Sequence, residues 1–330
     1  MVNRILHREE VVALIEQGRT LVLAASQPEL LGLPQGQWIG GIATHFLTEH
    51  GPRELQQGIH VIDLTDFIVA PRIQAYQSLS LDDLYVNTPS EGFTYAIMPG
   101  YTEVHRLFAL YSYSTPSAAD VPLVGWVAGS GAGTTTTYET LVFNGATGEM
   151  LADTIVAMHC HLREGFTFHA QAYTPMLPDR QTEIHFPEYS FMVDGIVVNG
   201  NPWRIYDYLQ DLHARGRYAI HLELDQTPHF IVPFTDPTTR MGFLSSPALP
   251  NVTYHESYLA PSSVDLCKSF LNAEPEGQEV FATTIGCYCL YESFACAKEE
   301  NPVLPGIFAY GEICGVLRNN YLLRLSITTG

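Results

Sequence analysis

Lysine is nearly missing from this chain: Lys268 and Lys298 are the two lysines in 330 residues. Lysine and arginine together number 16 against 35 aspartates and glutamates, which sets the net charge at −19. A nucleic-acid groove displaces counterions with clustered basic side chains, and the sequence has no such cluster, so nucleic acid is excluded as a partner. Anionic membrane surfaces would repel the chain for the same reason. Charged residues of either sign make up 15% and hydrophobic ones 46%, the composition of a folded protein. Long apolar runs are also lacking. None approaches the ~20 residues of a membrane helix, so no membrane insertion is expected. The opening stretch MVNRILHREEVVALIEQ carries charges where a signal peptide needs unbroken apolar sequence, which leads to the expectation of a cytoplasmic protein. Six cysteines (Cys160, Cys267, Cys287, Cys289, Cys296, Cys314) are too few for a disulfide scaffold of this length, so free thiols are expected.

The elements that are present mix both periods. HREEVVALIEQG reads as a short helix stopped by Gly18, and TLVLAAS as a buried strand. GIHVIDLTDFIV reads as one strand. FTYAIMPG, TEVHRLFALYS and PLVGWVAG read as strand, helix and strand, the helix from the spacing of Val104, Leu107, Phe108 and Tyr111. Asn144-Gly145 between two apolar runs marks a hairpin. Asn201-Pro202 is expected to open a helix, and Ser262 or Ser263 to cap another. The fold class is therefore α/β, with two lobes of mixed, largely antiparallel sheets flanked by helices. A boundary among the turn formers of residues 175–187 divides the chain into residues 1–180 and 181–330.

Gly129, Gly131 and Gly133, followed by the four threonines Thr134 to Thr137 in VAGSGAGTTTTYETLVFNG, residues 127–145, raise the question of a phosphate loop. A Walker loop needs a lysine to neutralise phosphate charge, and here Gly133 is followed by Thr134. A dinucleotide loop opens a helix, whereas threonine-rich, β-leaning sequence follows here. A connection between strands is the better reading.

PVLPGIFAYGEICG, residues 302–315, resembles the C-terminal signature of FIST proteins (F-box and intracellular signal transduction). MVDGIVVNGNPWRIYDYL is similar to the join between that family's two halves, and PLVGWVAGSGAG with the hairpin after it to its N-terminal part. The resemblance runs in order from about residue 90 to 330, with Tyr310-Gly311-Glu312-Ile313 as its specific segment. It implies a sensory module that binds a small molecule and signals through a separate protein, such as a kinase or a cyclic-dinucleotide enzyme. Some relatives hold haem, which makes a haem or metal sensor the alternative.

Tyr310, Glu312 and Cys314 alternate, so on an extended chain they share one face. With Trp126 and Ser130 they form the expected ligand site. His159 and His161 share a strand face and are the candidate metal or haem ligands. Cys287, Cys289, Cys296 and Cys314 match no standard zinc spacing. A thiol hydrolase built on Cys289 or Cys314 is the enzymatic alternative, although no catalysis is the expectation.

Overall fold

The computed structural model describes residues 3–48, 50–129, 140–217, 219–224, 227–288, 290–291 and 304–329. Its strands follow one scheme three times. The first unit comprises β1 (Asn3–Leu6), α1 (Arg8–Glu16), β2 (Leu21–Ala25), α2 (Gln27–Leu30), β3 (Trp38–Ile42), the hairpin β4 (His45–Thr48) and β5 (Gly51–Glu54), and β6 (Ile59–Asp63). The second repeats this order with β7 (Ile68–Tyr76), α3 (Leu81–Val86), β8 (Gly92–Pro99), α4 (Glu103–Ser114), β9 (Leu123–Ala128), the hairpin β10 (Val142–Asn144) and β11 (Glu149–Leu151), and β12 (Ile155–Leu162).

The third unit begins with β13 (Phe166–Tyr173) and is then interrupted. The insertion holds β14 (Met176–His185), β15 (Met192–Val193), β16 (Gly195–Val198), β17 (Asn201–Arg204) and α5 (Ile205–Ala214). It continues through β18 (Ala219–Leu224), β19 (Thr227–Ile231), β20 (Pro233–Thr235), β21 (Gly242–Leu244) and β22 (Tyr254–Leu259). The unit then resumes with α6 (Ser263–Leu271), β23 (Gln278–Cys287), β24 (Gly306–Ala309), the hairpin β25 (Glu312–Cys314) and β26 (Val316–Arg318), and β27 (Leu322–Thr329).

Three six-stranded sheets result, ordered β1-β6-β2-β3-β10-β11, β7-β12-β8-β9-β25-β26 and β13-β27-β23-β24-β4-β5. In each, the third and fourth strands are parallel (β2·β3, β8·β9, β23·β24) and their outer neighbours antiparallel. The last two strands are always the hairpin of another unit. The second unit lends its hairpin to the first, the third to the second, and the first to the third. The exchange closes a cycle. The pairs β9·β25, β24·β4 and β13·β27 each join chain on both sides of residue 180.

Strand alternation explains the layers. One face of each of these sheets enters a shared apolar interior, with Val22, Ile39 and Ile62, then Tyr95, Trp126 and Met158, then Ile285, Ile307 and Leu325. The opposite faces carry the helices. Leu23 and Val61 pack with Val11 and Leu30, Ala96 and Ile313 with Leu84 and Phe108, and Phe308 and Leu322 with Cys267 and Leu271. The insertion has its own core around Ile196, Leu209, Ile220 and Tyr254, and reaches the shared interior through Met176, Ala219 and Phe230.

The fold is α/β, with mixed, largely antiparallel sheets flanked by helices, as expected. No helix among the described residues is long and apolar enough to cross a membrane. Local readings need three corrections. GIHVIDLTDFIV is two strands, β6 and β7, because Asp63 accepts from the Thr65 N–H and hydroxyl and turns the chain. Asn201-Pro202 lies in β17, paired with Val198 and Val197, and the helix starts later, at Ile205. Ser262 does precede α6, but with φ 60° and no side-chain cap bond.

Candidate active or binding site at the sheet hub

Sequence-expected site residues gather where β9 receives its borrowed strand. After β24 the chain leaves one sheet for another, crossing at Tyr310 and Gly311. The Tyr310 N–H donates to the Val127 carbonyl at 3.3 Å, and the Val127 N–H donates to the Gly311 carbonyl at 2.9 Å. Pairing then sets Glu312 opposite Trp126 and Cys314 opposite Val124. Directly opposite residues of an antiparallel pair share a face, with Cβ atoms about 5 Å apart. Trp126 faces the shared interior and Cys314 packs against it, so Glu312 faces it as well.

Tyr310 does not share that face. It packs on the helix side with Ile313 and Leu317, and its ring meets those of Tyr101 (5.9 Å) and Phe234 (6.4 Å). The alternation argument fails there because Tyr310 sits in the crossover between two sheets, outside any one extended strand. Its ring lies against Gly129, where a Cβ would fall 2.4 Å from Tyr310 Cδ2. Ser130 and the glycine–threonine loop through residue 139 lie outside the described residues, as do Cys289 and Cys296.

Glu312 is fully buried. Its Oε2 accepts the Tyr321 backbone N–H at 3.2 Å, and Oε1 has no hydrogen-bond partner. Burial first, and the nearby Cys287 thiol second, push its pKa well above the usual carboxylate range. A buried carboxyl with one backbone donor is therefore held as the neutral acid, itself a donor. Across the ladder the Trp126 indole N–H is also buried and unpartnered. Tyr95 meets the Trp126 ring edge-on at 5.7 Å, and its hydroxyl is likewise unpartnered.

The repeated architecture gives this pair an internal comparison. The first junction sets Gly41 opposite Val142, at the position where the second sets Trp126 opposite Glu312. In the third, the ladder ends at His45 opposite Phe308, and Thr44 and Ala309 lie beyond. Only the second junction carries an acid and an indole. The junctions also touch: a Cβ on Gly41 would fall 2.4 Å from Ile97 Cγ2 and 3.4 Å from the Trp126 indole nitrogen. The bare backbone of Gly41 thus makes room for the Ile97 side chain from the neighbouring sheet, with the Trp126 indole at contact distance beside it. His60, opposite Ala24 and stacked on Phe46, brings another buried ring with an unpartnered Nε2 into the same interior. Burial alone lowers its pKa to about 4. The sequence reading passed over His60, although a histidine at an inward position of an otherwise apolar strand is a signal.

His159 and His161 serve elsewhere. His159 is on the helix side of its sheet, where Nε2 bonds the Tyr76 hydroxyl at 2.6 Å and Nδ1 the Thr94 hydroxyl at 2.8 Å. Both nitrogens are engaged, which leaves none to ligate a metal or haem iron. His161 is exposed at the strand end. Among the described residues no group of three or more His, Cys, Asp or Glu side chains is placed to hold a metal ion.

Cys160, Cys267 and Cys287 are buried and Cys314 partly so, all as free thiols. Burial pushes the Cys267 thiol up to about 12 and raises those of Cys160 and Cys314. Such thiols are poor nucleophiles. An electrophilic thiol probe at pH 7 is expected to spare these four until the protein is unfolded. Rapid native labelling of any of them would show an activated thiolate and revive a hydrolase reading.

No curated protein matches the chain. A family model described as a family of unknown function, DUF6976, matches residues 6–328, and the chain belongs to that family.

Proposed function

We propose that the protein binds a small molecule at the junction of β9 and β25, through the Glu312 carboxylic acid and the Trp126 indole N–H. One observation carries this reading. Two buried polar groups with unpartnered atoms face each other at one of three topologically equivalent junctions; the first has Gly41 and Val142 there, and in the third the Thr44 hydroxyl and His45 Nδ1 bond each other at 3.2 Å. Each unpaired buried donor or acceptor costs about 1–3 kcal/mol, a cost that a bound ligand offsets. A neutral acid and an indole both donate, so the ligand presents acceptors such as a carbonyl or a heteroaromatic nitrogen. A ligand rich in acceptors is favoured further by Arg318, which lies directly opposite Glu312 in the β25·β26 ladder with its Nε buried and unpartnered. Relay of that binding to a separate signalling protein, as the FIST resemblance implies, belongs to the same proposal.

The test is native beside denaturing mass spectrometry, on wild type, Glu312→Gln and Trp126→Phe purified without added cofactor. Wild type is expected to carry a small organic mass that is lost on denaturation and reduced in both variants. Glu312→Gln is also expected to be more stable than wild type at pH 8. The folded protein gives up the Glu312 proton only at a higher pH than the unfolded chain does, so this carboxyl works against folding above the usual carboxylate range. A wild type without bound mass, whose thermal midpoint no compound of a panel of neutral and anionic small metabolites raises, would overturn the reading.

A further inference from the structure

Arg318 stands where the two sister hairpins carry leucine. Across its three strands the first junction runs Gly41, Val142, Leu151, and the second runs Trp126, Glu312, Arg318. The third continues past its ladder to Thr44, whose carbonyl accepts the Leu55 N–H at 2.9 Å. Leu55 and Leu151 are both partly buried and pack on the shared interior. Residues directly opposite on paired antiparallel strands share a face. An arginine therefore occupies an inward position that apolar packing fills in the other two units.

A guanidinium at such a position needs partners, because it stays charged and carries five N–H donors. Arg318 is half-buried, and its Nε is buried without a hydrogen-bond partner. Its guanidinium lies over the Tyr321 ring, 5.2 Å from the centre. The other groups that feel its charge are the Tyr321 hydroxyl, the Cys314 thiol and the His229 imidazole. All three are neutral at pH 7: burial raises the tyrosine and the thiol, and burial with the Arg318 charge lowers His229 to about 4. Glu312 is held as the neutral acid. The buried Arg324 of β27 pairs with Glu279, whereas among the described residues no aspartate or glutamate pairs with Arg318. The hub thus holds one cation and no anion among those residues.

We infer that the hub ligand is a small monocarboxylate, with Arg318 binding one carboxylate oxygen and the Glu312 acid and Trp126 indole N–H the other. This rests on the ligand site proposed above and names the class of its ligand. One carboxylate can meet both sides, because Arg318 and Glu312 are cross-strand neighbours with Cβ atoms about 5 Å apart. A carboxylate matches the guanidinium fork in shape and its charge one to one. A phosphate would bring up to two negative charges against a single cation beside an apolar interior, which is the costlier choice. Solvent reaches Arg318 but neither Glu312 nor Trp126, so an entering anion meets the cation first.

The experiment measures thermal midpoints and calorimetric titrations of the full chain with acetate, benzoate and hexanoate, and with acetamide, benzamide and hexanamide. Inorganic phosphate and sodium chloride at matched ionic strength are run beside them. An amide keeps the carbonyl oxygen but sets an NH₂ donor against the Arg318 donors. At least one acid is expected to bind at least tenfold more tightly than its amide. Arg318→Leu, which installs the residue of both sister hairpins, is expected to abolish that preference and leave amide affinity unchanged. Arg318→Gln carries the same test should Arg318→Leu fail to fold. Trp126→Phe is expected to weaken acid and amide alike. Equal binding of acids and amides, a preference that survives loss of Arg318, or a larger response to phosphate than to any acid would overturn the carboxylate assignment alone. So would a failure of all six compounds to bind, while the bound-mass measurement still decides the site. An Arg318-dependent preference that Trp126→Phe leaves untouched would uphold the carboxylate and overturn the Glu312–Trp126 reading.

Discussion

At pH 4 the protein is expected to have lost most of its stability, with the loss beginning near pH 6.5. Among the histidines held neutral chiefly by burial, four are displaced farthest: His60, His159 and His229 at about 4, and His105 at about 3. Arg72 and His161 add repulsion at His159, and Arg318 at His229. The unfolded chain takes up these protons near the ordinary histidine value of about 6.5, before the folded protein does. The stability at stake is therefore complete above that value and is lost as pH falls toward the folded values. His60 alone accounts for roughly 3 kcal/mol, at about 1.4 kcal/mol per unit. With the other three acting in the same direction, the sum is comparable to a whole domain's stability of about 5–15 kcal/mol. Glu312 opposes the trend, because its raised pKa makes the folded state the better proton acceptor above the usual carboxylate range. Urea titrations from pH 4 to 8 check the direction. His60→Leu, which removes a titrating ring from an apolar stack on Phe46, should move the acid midpoint to lower pH. An unchanged midpoint would refute the role given to His60.

The second large effect is expected from Gly125→Ala, with a loss of roughly 4 kcal/mol or more, at the upper end for one substitution. Gly125 lies in β9 between Ala96 of β8 and Ile313 of β25. Its φ is 149°, and a Cβ there would fall 1.7 Å from the Ala96 carbonyl oxygen. That obstacle is backbone, so it cannot rotate away. Relief requires parting β8 from β9, the pair on which the Trp126–Glu312 junction rests. Gly165→Ala is the control: its φ is 86°, but nothing lies within 4 Å of the added carbon. It should cost only about 1 kcal/mol of backbone strain. Equal losses in the two variants, by denaturant titration, would show that contact between β8 and β9 is not what requires glycine at 125.

Much of the local structure was legible. The β8–α4–β9 unit follows from apolar runs flanking a 3.6-residue period, and the β10–β11 hairpin from Asn144-Gly145, where Asn144 also accepts the Gly148 N–H at 2.8 Å. Glu312 stood out because a carboxylate between glycine and isoleucine has little reason to be on a surface. The boundary inside GIHVIDLTDFIV was hidden, because both halves have strand composition. The threefold scheme was hidden for a different reason. Its repeats are unequal in length, one is split by the insertion, and the shared feature is strand order rather than any string of residues.

The sequence by itself determined the charge, the elements and which face of most strands is buried, because these depend on composition and on periods of two and 3.6 residues. Only the tertiary structure decided where each hairpin pairs. The residues of β4, β10 and β25 specify an extended strand with one apolar face, and that requirement is met equally by the strand's own unit or by another. Closing the cycle joins partners nearly two hundred residues apart, Trp126 and Glu312 among them. Their meeting reflects the packing of three sheets around one interior, a property of the assembled chain that no local pattern encodes.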